Sequence, residues 1–384
     1  MSERRTAPTR HRFRPVADRV AYLDGLRGFA ALMVFVGHAG AAGLLPLDAI
    51  GWVGFSIVSH GPYGVTVFFV LSAYTLCMSV APAFDRRPVS WPAYFIRRFF
   101  RIAPLYYAVL LFAAYLGPAR PDHVTTLFLH LSFLNMFVPQ FANDILSIEW
   151  PVAVEWGFYL MFPVLVILAR SRAGLAAIIV AAAALLAARN RLFDALPAMY
   201  SSNRGFSALF HLYAFVGGIA VYVAARELRV PMPSRRRLLW CLNVAGLAMV
   251  AFLVWRGNSG LSAPFVAIIA GIVILDAHAG GLARSVLAWT PLAFVGRISF
   301  SVYLLHVFFL GWVGHLDWPP QAALLAALAA TLAAAALTYV CIERPGMMAG
   351  RLLTQRLTAK KLGLRAAPTT REARQIDDVR GSAG

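Results

Sequence analysis

Ten apolar runs divide this chain, at about 21–44, 61–81, 102–118, 150–170, 174–188, 207–225, 238–256, 262–280, 294–314 and 321–343. A bilayer core of about 30 Å takes about 20 apolar residues in a helix, and it leaves no water to satisfy an unpaired backbone. The pattern predicts an all-α fold, a polytopic membrane helix bundle of about ten transmembrane helices. Composition agrees. The chain is 60% hydrophobic and 14% charged, where a soluble domain carries roughly a quarter charged residues.

The net charge of +18 would suggest a nucleic-acid partner in a soluble protein. Here the arginines lie between apolar runs, so no nucleic acid is expected and membrane lipids are the expected neighbours. Arg86, Arg87, Arg97, Arg98, Arg101, Arg170, Arg172, Arg226, Arg229, Arg235, Arg236 and Arg237 fall on one side of the span pattern. Fewer fall on the other side: Arg120, Arg189, Arg191, Arg204 and Arg256. By the positive-inside rule both termini are cytoplasmic. Residues 1–19 read as a disordered basic cytoplasmic tail, 20–346 as the membrane domain and 347–384 as a flexible cytoplasmic tail. The segment 123–140 reads as an amphipathic helix lying at the interface. Cys77, Cys241 and Cys341 have no metal-like spacing and read as buried, inert thiols. The first apolar run is long and lacks a small-residue cleavage site, so it reads as a retained span.

Ionisable residues inside the spans are the candidates for chemistry. Each costs at least about 2.5–3.5 kcal/mol at membrane depth, so each needs a bundle interior or a wet cavity. Arg27 and His38 lie eleven positions apart in the first run. That separation is about three helical turns, which puts both on one face about 16 Å apart. His38, Glu155 and His306 share a layer about 5 Å thick in the outer half of the bilayer by residue counting. They form a candidate general acid/base set. Arg97, Arg98 and Arg101 are i,i+3 and i,i+4 neighbours in the loop before Pro104. Their guanidinium forks suit phosphate or lipid headgroups. Ser299, Tyr303 and His306 make one polar stripe, and Ser72 is a second hydroxyl that lines a span. No metal set is expected among these residues, which come from distant helices.

Six motifs in order resemble the acyltransferase-3 family of multi-span membrane acyltransferases. They are Arg27 to His38, Gly64 to Ala73, Arg97 to Pro104, Val154-Glu155-Trp-Gly-Phe158-Tyr159, Ser299 to His306, and Glu343-Arg344-Pro345. The resemblance covers about residues 20–346. Two positions depart from it: Thr66 stands where the family often has Asp, and Ala73 where it has Gly. The missing carboxylate removes one candidate for orienting the His or the acceptor.

The resemblance implies an enzyme that moves an acyl group, by expectation acetyl, from cytoplasmic acyl-CoA to a sugar hydroxyl. The acceptor would be a surface polysaccharide, a lipid-linked glycan or a glycosylated metabolite. Acyl-CoA is then a co-substrate and no cofactor is needed. His38, Glu155 and His306 would be catalytic. Arg27, Arg97, Arg98 and Arg101 would hold the donor phosphates. Ser72, Ser299 and Tyr303 would position the acceptor. The implied location is a bacterial inner membrane. The competing reading is a proton-coupled transporter of an anionic or acylated solute, in which the same groups form a proton relay.

Overall fold

The computed structural model describes residues 17–117, 122–138, 141–195, 204–227, 232–257 and 261–361. Among them every regular element is helical and there is no strand. The expected tail at 1–19 lies outside these residues apart from 17–19, which begin the first helix.

The chain forms two compact units. The first is drawn from Met1–Ser79 and His211–Leu332, the second from Val80–Phe210 and Ala333–Gly384. In the first unit the helices are α1 (Ala17–Ala41), α2 (Leu47–His60) and α3 (Gly64–Ser79). The second unit opens with α4 (Ala81–Phe84), α5 (Trp91–Leu116), α6 (His123–Leu131), α7 (Trp150–Ala169) and α8 (Arg172–Asp194). The chain then returns to the first unit for α9 (Leu212–Glu227), α10 (Met232–Arg256), α11 (Ser262–His278), α12 (Leu282–Leu287), α13 (Thr290–Arg297) and α14 (Ser299–Val313). A final helical stretch runs from α15 (Pro320–Thr338) through a π-helical turn, Tyr339–Glu343, into α16 (Arg344–Lys361).

Among the described residues, six stretches are long and apolar enough to cross a membrane: Gly51–Ser79, Trp91–Leu116, Trp150–Ala169, Arg172–Leu192, Arg237–Arg256 and Pro320–Thr358. A seventh follows if α13 and α14, bent by 79°, count as one span. These helices make the chain a multi-pass membrane protein. The number is below the ten read from the sequence, and α1 shows why. Its Asp24, Arg27 and His38 dilute an otherwise apolar run. Near the other end of the chain, α11 is only 17 residues long. α8 and α10 bury only 11% of the residues in their apolar windows. Their large exposed side chains, such as Val180, Trp240, Leu247 and Trp255, are what a lipid-facing surface requires.

Four local expectations change. Cys77 is buried as read, but Cys241 and Cys341 are exposed, on helices whose outer faces are apolar. Arg97, Arg98 and Arg101 sit within α5 rather than in a loop, because Ser90 caps its N-terminus by accepting from the Ala93 N–H and Pro92 follows in the first turn. The segment 123–140 is not one helix. α6 ends at Leu131, and Phe133 takes a left-handed φ of 58°. The stretch read as a flexible tail from 347 is helix as far as Lys361. There Gly346 and Gly350 let α16 lie directly on Pro104 and Phe100 of α5.

In the first unit, α1 is the central element, packed against α3, α13 and α14. Glycines let it approach closely. A Cβ on Gly296 would stand 1.6 Å from the Asp24 carbonyl oxygen, and one on Gly61 would stand 2.5 Å from the Gly37 Cα. Those two approaches bracket α1, one near Arg27 and the other beside His38. Phe35, Ala39, Leu310, Val313, Ala323 and Ala327 form an apolar core next to His38 and His306.

Candidate active site

His38 and His306 meet in the first unit. Their ring centroids are 4.9 Å apart, and His306 Nε2 lies 3.2 Å from His38 Nδ1. His306 is almost fully buried, whereas His38 is half-buried. Phe35 and Tyr303 flank the His306 ring.

The backbone around the pair sets where the protons are. His306 Nδ1 is 2.7 Å from the Tyr303 carbonyl, and His38 Nδ1 is 2.9 Å from the Val34 carbonyl. A carbonyl can only accept, so both Nδ1 atoms carry hydrogen. His306 Nε2 therefore presents a lone pair, and His38 Nδ1–H is shared between Val34 O and that lone pair. What remains is His38 Nε2, which in a neutral ring is basic. It makes no hydrogen bond among the described residues. One imidazole is thus held in the tautomer a general base needs, and the other holds it there.

Arg27 lies lower on α1. Its Nη1 is 3.5 Å from Asp24 Oδ1, and its Nη2 donates to Thr75 Oγ1 at 3.1 Å. The pair is mostly buried, at 19% and 14% side-chain exposure. The guanidinium is tied to a carboxylate and to α3. Tyr303 packs edge-on against Phe68 of α3. Ser299 is buried at the start of α14, directly after the 79° bend. Ser72 is partly buried in α3. The residues of the polar stripe read on the ninth apolar run lie on α14, and its His306 end reaches His38.

Of the remaining predicted residues, Glu155, Arg98 and Arg101 lie near Tyr159 in the second unit, whereas Arg97 has Arg98 as its charged neighbour on the same helix. Tyr159 donates to Glu155 Oε1 at 2.6 Å, one helical turn away. Arg98 and Arg101 are near enough for their charges to act on the same hydroxyl. Arg98 also lies over the ring of Tyr94, 5.9 Å from its centroid, and its buried Nε has no hydrogen-bond partner. Arg101 Nη1 reaches Met347 Sδ of α16 at 3.7 Å. Tyr94 stacks on Phe162 and lies edge-on to Tyr159. Glu155 and the two arginines, read from the sequence as a catalytic and a donor-binding group, are electrostatic neighbours within one unit.

One cluster escaped the sequence reading. His130 Nε2 lies 2.8 Å from Asp144 Oδ1 and 3.9 Å from Glu149 Oε1. His130 Nδ1 is 3.1 Å from the Tyr106 hydroxyl. Glu149 is fully buried and accepts the N–H groups of Ile145, Leu146 and Ile148. Burial pushes its carboxyl up, while those N–H groups and His130 pull it back. Phe133, in its left-handed conformation, is stacked between Tyr106 and Trp156. The only sequence signal was a His in the apolar stretch 123–140 followed by two carboxylates in a short polar interval. His130 lies in a helix and Asp144 outside one, so no single helical face joins them, and the separation of 5 between Asp144 and Glu149 fits no helix face.

Residues 20–343 match the acyltransferase-3 family, described as an acyltransferase domain. The chain is similar to Nodulation protein 10 of Rhizobium leguminosarum bv. viciae, with 26% identity over 383 residues, 89% of this chain and 96% of that protein. It is similar to the acyltransferase MdmB of Streptomyces mycarofaciens, with 31% identity over 160 residues, 39% of this chain and 40% of that one. The peptidoglycan O-acetyltransferase OatA of Listeria monocytogenes shares 23% identity over 320 residues, 75% of this chain and 49% of that one. Apart from Nodulation protein 10, the chain spans less than half the length of these relatives. No solved structure gives a significant match. With a match that runs through most of its length, from the start of α1 to the π-helical turn after α15, the chain belongs to the acyltransferase-3 family.

Proposed function

We propose that this protein is a membrane O-acyltransferase that moves an acetyl group from acyl-CoA to a sugar hydroxyl of a cell-surface or lipid-linked glycan, in a bacterial inner membrane. The observation that carries this reading is the fixed tautomer of the His38–His306 pair. His38 Nε2 takes the proton of the acceptor hydroxyl as that oxygen attacks the thioester carbonyl. The carbonyl carbon forms a bond to the sugar oxygen, the carbon–sulfur bond breaks, and the thiol leaves with a proton. As His38 becomes an imidazolium, its Nδ1–H keeps both acceptors, Val34 O and His306 Nε2. His306 is therefore a positioning residue rather than a second base. Tyr303, Ser299 and Ser72 are assigned to the acceptor.

Arg97, Arg98 and Arg101 are assigned to the donor phosphates, which suit guanidinium forks. Arg27 is tied to Asp24 and Thr75, so its charge is already partly answered. We give it a supporting part at the donor. Glu155 is assigned to the same electrostatic group as Arg98 and Arg101, where it balances their charge. The names of relatives that are O-acetyltransferases support the acetyl and glycan assignments.

The test is the purified protein in proteoliposomes, given radiolabelled acetyl-CoA and a peptidoglycan or oligosaccharide fragment. The expected product carries the label as an alkali-labile O-acetyl ester. Transfer from a non-thioester acetyl donor, with none from acetyl-CoA, would overturn the donor assignment.

A further inference from the structure

The His130 cluster takes no part in the proposed reaction, yet it is built with care. His130 and Glu149 are fully buried, and Asp144 is 14% exposed. One donor atom from each of the three lies within 4.8 Å of the others. Ligand bonds of about 2.0–2.2 Å place neighbouring donor atoms about 3–3.6 Å apart. The observed 2.8 and 3.9 Å straddle that range, so a small rotation of the Asp144 carboxylate would make room for an ion beside the fixed Glu149.

The surroundings match what a metal-bound imidazole needs. With Nε2 on an ion, Nδ1 carries the ring proton and donates to the Tyr106 oxygen at 3.1 Å. That is the outer hydrogen bond that orients a ligating His. Glu149 is fixed by three backbone N–H groups, and Thr126 Oγ1 lies 3.4 Å from Asp144 Oδ2. Asp144 borders a cavity of about 160 Å³ with Gly117, His123, Thr126 and Ile145 in its wall.

We propose that His130 Nε2, Asp144 and Glu149 bind one divalent ion of the zinc or manganese class. One imidazole and two carboxylates are a borderline donor set, which favours those ions over magnesium and calcium.

The experiment uses full-length protein in detergent, purified through a tag without histidine and stripped with chelator. It is titrated with Zn²⁺ and with Mn²⁺, and retained metal and thermal unfolding are measured. The expected result is about one retained ion per chain with a rise in Tm. Asp144→Asn and Tyr106→Phe should each weaken binding by about tenfold or more. The exposed His315→Ala variant should bind as the parent does. Tyr106→Phe keeps the stacked ring and removes only a hydroxyl, so it reports on the site even if a His130→Gln variant does not fold. Absence of retained ion and of any Tm shift in the parent protein would overturn the proposal. So would equal affinity in the parent, Asp144→Asn and Tyr106→Phe proteins.

Discussion

His38 and His306 are held differently although they are the same residue type and lie 3.2 Å apart at their nearest nitrogens. The difference comes from their backbone partners. His306 Nδ1 is committed to Tyr303 O, and its Nε2 faces inward to His38. A His306→Ala variant should keep a base at position 38 but lose its orientation. We expect kcat to fall by about 10²-fold, as a misplacement of about 1 Å does, with the acceptor KM little changed. Steady-state kinetics over acceptor concentration separate the two, and a large KM effect with kcat intact would instead put His306 on the substrate. The sequence revealed both residues because an ionisable group in an apolar run is conspicuous. It did not reveal their tautomers, which depend on carbonyls that any residue supplies. The His130–Asp144–Glu149 group stayed hidden for a related reason. A His at the edge of an apolar stretch and two acids in a connection are each ordinary, and only the turn at Phe133 brings them together.

At the scale of elements, small residues decide where side chains are delivered. α1 is pressed so closely onto α13 that Gly296 touches the Asp24 carbonyl. A Gly296→Ala variant should lose about 1–3 kcal/mol or more, since its methyl would meet backbone that cannot turn aside. Gly246 in α10 is the matched comparison. Its nearest contact would be Ile272 Cγ2 at 3.6 Å, so Gly246→Ala should be neutral or gain about 0.5–1 kcal/mol of helix stability. Thermal unfolding in detergent measures both, and similar Tm values for the two variants would contradict the packing argument. The apolar runs gave most of the long helices to within several residues, but α5 starts at Trp91 rather than near 102 and α2 had no run of its own. They missed the continuation of α15 into α16, because Arg344 and Pro345 look like a stop. A Pro in the first turn of the next helical segment is instead well tolerated, and the π-helical turn Tyr339–Glu343 absorbs the join.

For the whole molecule, the two units divide the predicted residues between them. The first holds the histidine pair, Arg27 and the hydroxyl stripe; the second holds Glu155 and the arginine row. Their assigned roles predict separable defects. Arg98→Ala should raise the donor KM by about tenfold or more, the scale of one charge-assisted hydrogen bond of about 1.5–3 kcal/mol, and leave the acceptor KM unchanged. Initial rates at varied acetyl-CoA check this, and an unchanged donor KM would leave Arg98 as a structural cation over Tyr94. His38 Nε2, assigned as the base, is tested by acetyl transfer with parent and His38→Ala proteins in vesicles, matched for folded protein by their Tm. The expected loss in the variant is about 10²–10⁴-fold, the range a general base supplies. Undiminished transfer by a folded His38→Ala protein would contradict that assignment.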